Sequence, residues 1–147
     1  MGKEIKMIKI YQGNCLDRLK DLPAQSINTC ITSPPFWNLR DYQEEEQLGM
    51  EDTPEEFVDN LVGVFREVKR VLHDSGTVWL NLGDSYISGK SRYSNKEQTL
   101  IGGGENQKKY GILHKGGKKD MYGHPYYKDK DLAGIPWRVA FGLQKDG

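Results

Sequence analysis

An α/β fold built around parallel strands is the architecture this sequence predicts, on three observations. Short apolar or β-branched runs at 7–11, 26–31 and 77–82 alternate with helical patterns. Thr77-Val78-Trp79-Leu80-Asn81-Leu82 is almost continuously apolar, as a buried parallel strand is. The last two runs end in turns rich in proline, glycine and hydroxyl side chains, Ser33-Pro34-Pro35-Phe36 and Gly83-Asp84-Ser85-Tyr86, and loops at strand ends carry the chemistry of such folds.

The elements follow in order. Met7-Ile8-Lys9-Ile10-Tyr11 alternates enough for a first strand, and Gly13-Asn14 breaks it. Leu16, Leu19 and Leu22 recur at helical spacing until Pro23. Ser26 to Ile31 is the second strand. The polar, acidic stretch 38–52 has no sustained period and reads as a mobile loop. The clearest helix then starts at Thr53 as N-cap, with Pro54 at its first position and Glu56 completing a capping box. Phe57, Leu61, Val64, Phe65, Val68, Val71 and Leu72 form its apolar stripe, and Gly76 reads as its stop. A final helix opens at Ile135-Pro136-Trp137, with Trp137, Ala140 and Phe141 on one face and Lys145-Asp146-Gly147 as its end.

Residues 87–130 differ in texture, with eight glycines, five tyrosines, and ten Lys or Arg against four Asp or Glu. They read as a long basic insertion that stays disordered without a partner. The whole chain of 147 residues is long enough for one domain with a single core, expected to bury a little over two-thirds of its unfolded surface. Its formal net charge is zero, so only the local distribution of charge argues for a polyanionic partner. Cys15 and Cys30 are too few for a disulfide framework or a cysteine zinc site, fit a reducing compartment, and read as small buried hydrophobes. There is no apolar leader and no run near ~18 apolar residues, which points to a soluble cytoplasmic protein with no membrane role.

Thr32-Ser33-Pro34-Pro35-Phe36-Trp37 is the most informative stretch. Each proline fixes its own φ and biases the residue before it toward extended geometry, so the carbonyls of Ser33 and Pro34 are aimed. A hydroxyl and two carbonyl acceptors beside aromatic faces suit a planar polar ligand such as a nucleobase. The plainer reading of the tetrapeptide alone is an ordinary proline turn. Trp37 either extends the stacking wall or packs beneath the loop, and Asp84 either lines the base pocket or caps its turn. His73, at the end of the long helix, reads as a partner of the helix dipole. His114 and His124 lack ligand spacing, so no metal site is expected. Arg92, Lys108, Lys109, Lys115, Lys118 and Lys119, with Tyr93, Tyr110 and Tyr122 between them, combine phosphate-neutralising charge with stacking surface and are the candidate DNA contacts. A solvated lysine-rich insertion is the alternative.

The S-P-P-F motif and its preceding strand resemble the catalytic motif of the DNA methyltransferases that modify exocyclic amino groups, and T-S-P-P-F-W is most similar to the cytosine-N4 branch. Y-Q-G-N-C-L-D-R-L-K-D-L-P, G-T-V-W-L-N-L-G-D-S-Y and D-L-A-G-I-P-W-R-V-A-F-G-L-Q-K-D-G resemble further segments of the family, in the motif order of its β-type members. The resemblance implies a partial Rossmann-like methyltransferase fold, S-adenosylmethionine as cofactor, double-stranded DNA as substrate and a possible cognate restriction endonuclease as partner. It implies that Ser33 and Pro34 bind the target amino group, that Pro35 shapes the turn and that Phe36 stacks on a flipped base. Asn14 would lie near the cofactor adenine, where relatives usually carry Asp.

The family's main glycine-rich cofactor turn is absent, because β-type order would place it beyond Gly147. Ile101-Gly102-Gly103-Gly104-Glu105 is no substitute, since no strand leads into it and no apolar helix follows. Residues 1–147 therefore read as the N-terminal part of one catalytic domain with a C-terminal segment missing. The alternatives are adenine-N6 specificity, a catalytically silent DNA-binding remnant and a poorly folded decay product.

Overall fold

The computed structural model describes residues 7–87, 126–128 and 130–147. Its elements are α1 (Cys15–Lys20), β1 (Ile27–Thr32), α2 (Pro54–Val71), β2 (Leu72–Leu80) and α3 (Ile135–Asp146). β1 and β2 pair in parallel, and α2 is the crossover between them, so the described part is centred on a βαβ unit. That unit bears out the expected α/β character. Two strands do not by themselves establish a Rossmann-like order.

Local chemistry explains α2. Thr53 Oγ1 accepts from the Glu56 amide at 3.1 Å and Glu56 Oε2 accepts from the Thr53 amide at 3.2 Å, the reciprocal pair that the sequence predicts. Phe57, Leu61, Phe65, Val68 and Val71 are buried as expected, and so are Val58 and Val62, which broaden the stripe. Gly142 of α3 explains the addition: a Cβ there would stand 3.0 Å from Val58 Cγ1 and 3.2 Å from Val62 Cγ2, so the helices meet closely across this side. Each fully buried side chain of this kind contributes about 1.5–3 kcal/mol. Cys30, Leu72, Leu80 and Leu82 pack on the same core from the sheet.

The helix stops earlier than the sequence suggests. Its last residue is Val71, and Leu72 is already extended at φ −71° and ψ 139°. The amides of Gln25 and Ser26 donate to the carbonyls of Arg70 and Val71, satisfying the helix end from outside. Between the pairs Ile27↔Leu72 and Thr29↔Thr77 the second strand carries extra residues that bulge outward. Gly76 serves this bulge, because a Cβ there would lie 2.8 Å from the His73 carbonyl and 3.2 Å from that of Asn28. His73 lies within the bulge, its Nδ1 3.0 Å from Ser75 Oγ.

Three other expectations are corrected. Residues 7–11 form no strand, and Ile8 and Ile10 are 88% and 90% exposed. Alternation supplies a strand's faces but not the neighbour that must take its N–H and C=O groups, and none of the described residues does so. Cys15 is exposed at the start of α1, and only Cys30 is partly buried, which pushes its thiol pKa up. The stretch 38–52 is tied down: Gln47 Oε1 accepts from the Tyr42 amide, Asp41 Oδ1 from Gln43, and Asn38 donates to the Gly49 carbonyl at 2.7 Å.

Trp137, Ala140 and Phe141 do share a face of α3, and it points to solvent. Ile135 and Val139 are the residues this helix buries. No helix among the described residues is long and apolar enough to cross a membrane.

Candidate active site

The Ser33-Pro34-Pro35-Phe36 turn leaves the end of β1 and is held from two sides. On one side is Gly49, at φ +95°, where a Cβ would approach the Phe36 carbonyl to 2.9 Å and Pro35 Cβ to 3.2 Å. Glu51 fixes that glycine. Its Oε2 accepts from the Gly49 amide at 2.8 Å, its Oε1 accepts from Asn60 Nδ2 of α2 at 3.2 Å, and its backbone carbonyl takes the Trp37 indole N–H at 3.0 Å. On the other side Gly83 lies against the Phe36 ring so closely that a Cβ would stand 2.8 Å from Cδ2 and Cε2. Ser85 Oγ then donates to the Trp37 carbonyl at 2.8 Å. Trp37 is 2% exposed, so it packs beneath the turn and adds no stacking surface.

Asp84 caps its own turn, its Oδ1 accepting from the Ser85 amide at 2.8 Å, and caps a second element besides. Its carboxylate accepts from the amides of Gly134 at 3.1 Å and Ile135 at 3.0 Å, at the start of α3. Gly134 itself sits at φ +72° and has no side chain to offer. A carboxylate from β2's trailing turn therefore does the work an N-cap residue normally does and suits the positive end of the helix dipole.

The same turn opens the stem of the insertion. Ile87 donates to Asp131, Lys130 donates to Ile87, and Ala133 donates to Ser85, each at 2.8 Å, so both ends of the insertion leave from one place. Arg138 braces this stem: it donates to the Ala133 carbonyl at 2.8 Å and to Glu55 Oε1 at 3.0 Å, and its guanidinium lies 5.1 Å from the centre of the Tyr127 ring. Tyr127 donates to the same Glu55 oxygen at 3.2 Å. Burial, opposed by Arg138 and reinforced by Glu55, pushes its phenol pKa up to about 12.

Ser33, Pro34, Pro35 and Phe36 thus come together, with Ser33 exposed and the other three partly so. Among the described residues nothing hydrogen-bonds to the Ser33 hydroxyl or the Pro34 carbonyl. Asn14 is the N-cap of α1: its Oδ1 accepts from the Leu16 amide at 3.0 Å and its Nδ2 donates to Glu46 Oε2 at 3.0 Å. Both ends of the Asn14 amide are therefore engaged within the chain. Arg92, Lys108, Lys109, Lys115, Lys118 and Lys119 lie outside the described residues, as do His114, His124 and the glycine run at 102–104. Among the described residues no group of His, Cys, Asp or Glu is placed to hold a metal ion.

Sequence reasoning missed Gly49, Glu51 and Ser85. Their partners lie between two and 48 residues away, and no periodicity links them. The one available signal was a glycine amid acidic residues shortly after a proline turn.

The model of the N6/N4 DNA methylase family matches residues 27–136, from the start of β1 to the start of α3. The chain belongs to this DNA methylase family. It is 43% identical over 142 residues to the type II methyltransferase M.XycI of Xanthomonas campestris pv. cyanopsidis, covering 94% of this chain and 42% of that protein. It is 39% identical over 144 residues to M.Cfr9I of Citrobacter freundii, covering 98% and 44%. It is 44% identical over 138 residues to M.SfiI of Streptomyces fimbriatus, covering 94% and 27%. The chain thus spans less than half the length of these curated relatives. No solved structure matches it significantly. Members of the family use S-adenosylmethionine as methyl donor.

Proposed function

We propose that this chain carries the target-base side of the active site of a site-specific DNA methyltransferase, acting on the exocyclic N4 of cytosine. One observation carries the reading: a hydroxyl and a carbonyl without protein partners among the described residues stand at a strand end, beside an aromatic ring pinned by Gly83. The base must be flipped out, since its amino group is otherwise paired and stacked. Ser33 Oγ and the Pro34 carbonyl accept the two amino N–H bonds, which turns the nitrogen lone pair out of ring conjugation. Phe36 stacks on the base, an interaction typically worth about 1–3 kcal/mol. The turn's rigidity is the catalytic asset, because acceptors already in place need no reorganisation when charge develops. Serine at the head of the motif favours cytosine N4 over adenine N6, which is the second reading.

In this proposal Arg92, Lys108, Lys109, Lys115, Lys118 and Lys119 neutralise DNA phosphates, from an insertion whose stem adjoins the catalytic turn. The part of the relatives' length that this chain does not span supplies the cofactor site. Asn14 joins that site only after its amide leaves Glu46. A cognate restriction endonuclease belongs to the proposal because the relatives carry type II names.

The test is methyl transfer from labelled S-adenosylmethionine to DNA, with nucleoside analysis of the product. The chain is assayed alone and together with the remaining portion of a relative. N4-methylcytosine formed only in the second case, and lost with Ser33→Ala or Phe36→Ala, is the expected result. N6-methyladenine would favour the second reading, and silence in both cases with salt-sensitive DNA binding would favour a DNA-binding remnant.

A further inference from the structure

Glu51 stands where three pieces of chain meet. Its Oε2 accepts from the Gly49 amide at 2.8 Å, its Oε1 from Asn60 Nδ2 at 3.2 Å, and its backbone carbonyl from the Trp37 indole at 3.0 Å. One residue therefore joins the turn after β1, the returning loop and α2. Gly49 transmits the grip. At φ +95° it lays its backbone against the turn, where a Cβ would meet the Phe36 carbonyl at 2.9 Å and Pro35 Cβ at 3.2 Å. Its own carbonyl accepts from the Asn38 amide at 2.7 Å, which closes the loop on Asn38 in the left-handed region at φ +56°. Both side-chain partners of Glu51 are donors, and a carboxylate serves one with each oxygen.

The consequence reaches the Pro34 carbonyl. That group lies in the peptide plane shared with the Pro35 nitrogen, so a Pro35 ring held in place fixes the direction of the acceptor. We propose that Glu51 is a positioning residue for methyl transfer: through Gly49 and Pro35 it aims the Pro34 carbonyl at the target amino group. The inference rests on the base-side reading of the turn given above. An acceptor aimed at a nitrogen that changes geometry in the transition state acts on kcat, whereas contacts made equally before and during reaction act on KM. Misplacing it by about 1 Å is enough to cost about a hundredfold.

Two readouts test this, the first without any reaction. In the 147-residue chain carrying 4-fluorophenylalanine, the Phe36 line is assigned with Phe36→Leu, and amide exchange is followed at Gly49. Glu51→Ala should shift or broaden that line and speed Gly49 exchange at least about tenfold, and Glu51→Gln should restore both. Glutamine rescues because its Oε1 still accepts from Gly49 while its Nε2 donates to Asn60 once that amide turns its oxygen inward. In the second readout the chain is combined with the remaining portion of the Xanthomonas relative, and methyl transfer is followed at varied DNA and S-adenosylmethionine. Glu51→Ala should lower kcat about ten- to a hundredfold with both KM values within about twofold of wild type, and Glu51→Gln should recover most of the rate. Val68→Ala, buried two turns along α2 from Asn60, should lower the urea midpoint and leave kcat unchanged. A Glu51→Gln variant as impaired as Glu51→Ala, a loss confined to KM, or an equal loss of kcat in Val68→Ala would each overturn the proposal. Without methyl transfer in the wild-type mixture it is the reading of the turn that fails; the aim of the turn is then decided by the fluorine line, and a line that ignores Glu51→Ala overturns the proposal by itself.

Discussion

Trp37 and Trp79 belong to the same βαβ unit and live in opposite environments. Trp37 is 2% exposed, donates its indole N–H to Glu51 and lends its carbonyl to Ser85. Trp79 is 65% exposed on a sheet face that nothing in the described structure covers. The turn beyond β1 finds every partner it needs inside this chain, from Gly49, Glu51, Gly83 and Ser85. Among the described residues nothing covers Ile31 and Trp79 on the outer face of the sheet. Self-sufficiency at the Ser33–Phe36 turn, against its lack on the outer face among the described residues, teaches that fixing a turn and covering a sheet are separable properties of the sequence.

The contrast is sharpest in stability. Trp37→Ala should cost about 3–5 kcal/mol, whereas Trp79→Ser in the isolated chain should stay within about 0.5 kcal/mol, both read from urea unfolding. Equal costs would mean that the outer face is already packed. Gly83→Ala should cost about 1–3 kcal/mol through the clash with the Phe36 ring, or spare stability by displacing that ring and so weaken base stacking instead. Asp84→Ala should cost about 0.5–2 kcal/mol by uncapping α3, seen as lost amide protection at Gly134 and Ile135 in hydrogen exchange.

The smallest effect concerns pH. The Tyr127 phenol has its pKa raised in the folded chain, so its contribution to stability is complete below the unfolded value of about 10 and is lost as pH rises toward about 12. Tyr127→Phe should remove that alkaline dependence, measured as the difference between the two unfolding curves, which should stay flat below about pH 9 and open as pH rises past about 10.

Much of the clamped region was legible in the sequence, because its signals are local. Thr53, Pro54 and Glu56 announce a helix start by residue type and spacing, and the two prolines after Ser33 announce a fixed turn. The parallel strands at 27–32 and 72–80 lie near where composition placed them. Partners were not legible. Nothing at Met7 to Tyr11 says whether a neighbouring strand exists, and the alternation there would be the same in either case. Gly76 looked like a helix stop because glycine serves both stops and bulges, and only the nearby carbonyls of His73 and Asn28 decide between them. Asp84 capping a helix fifty residues later, and Glu51 holding Gly49 against Pro35, are matters of where the chain returns, which no window of sequence contains.

The stem formed by Ser85, Ile87, Lys130, Asp131 and Ala133 has an evolutionary consequence. A segment whose two ends are bonded together can be lengthened, shortened or rewritten without moving the elements on either side, and the entropy of closing it grows only slowly with its length. The insertion is therefore free to drift in length and composition while Phe36, Gly83 and the cap on α3 keep their places. A gene carrying this stem can rewrite the segment without relearning how to fold the elements that flank it.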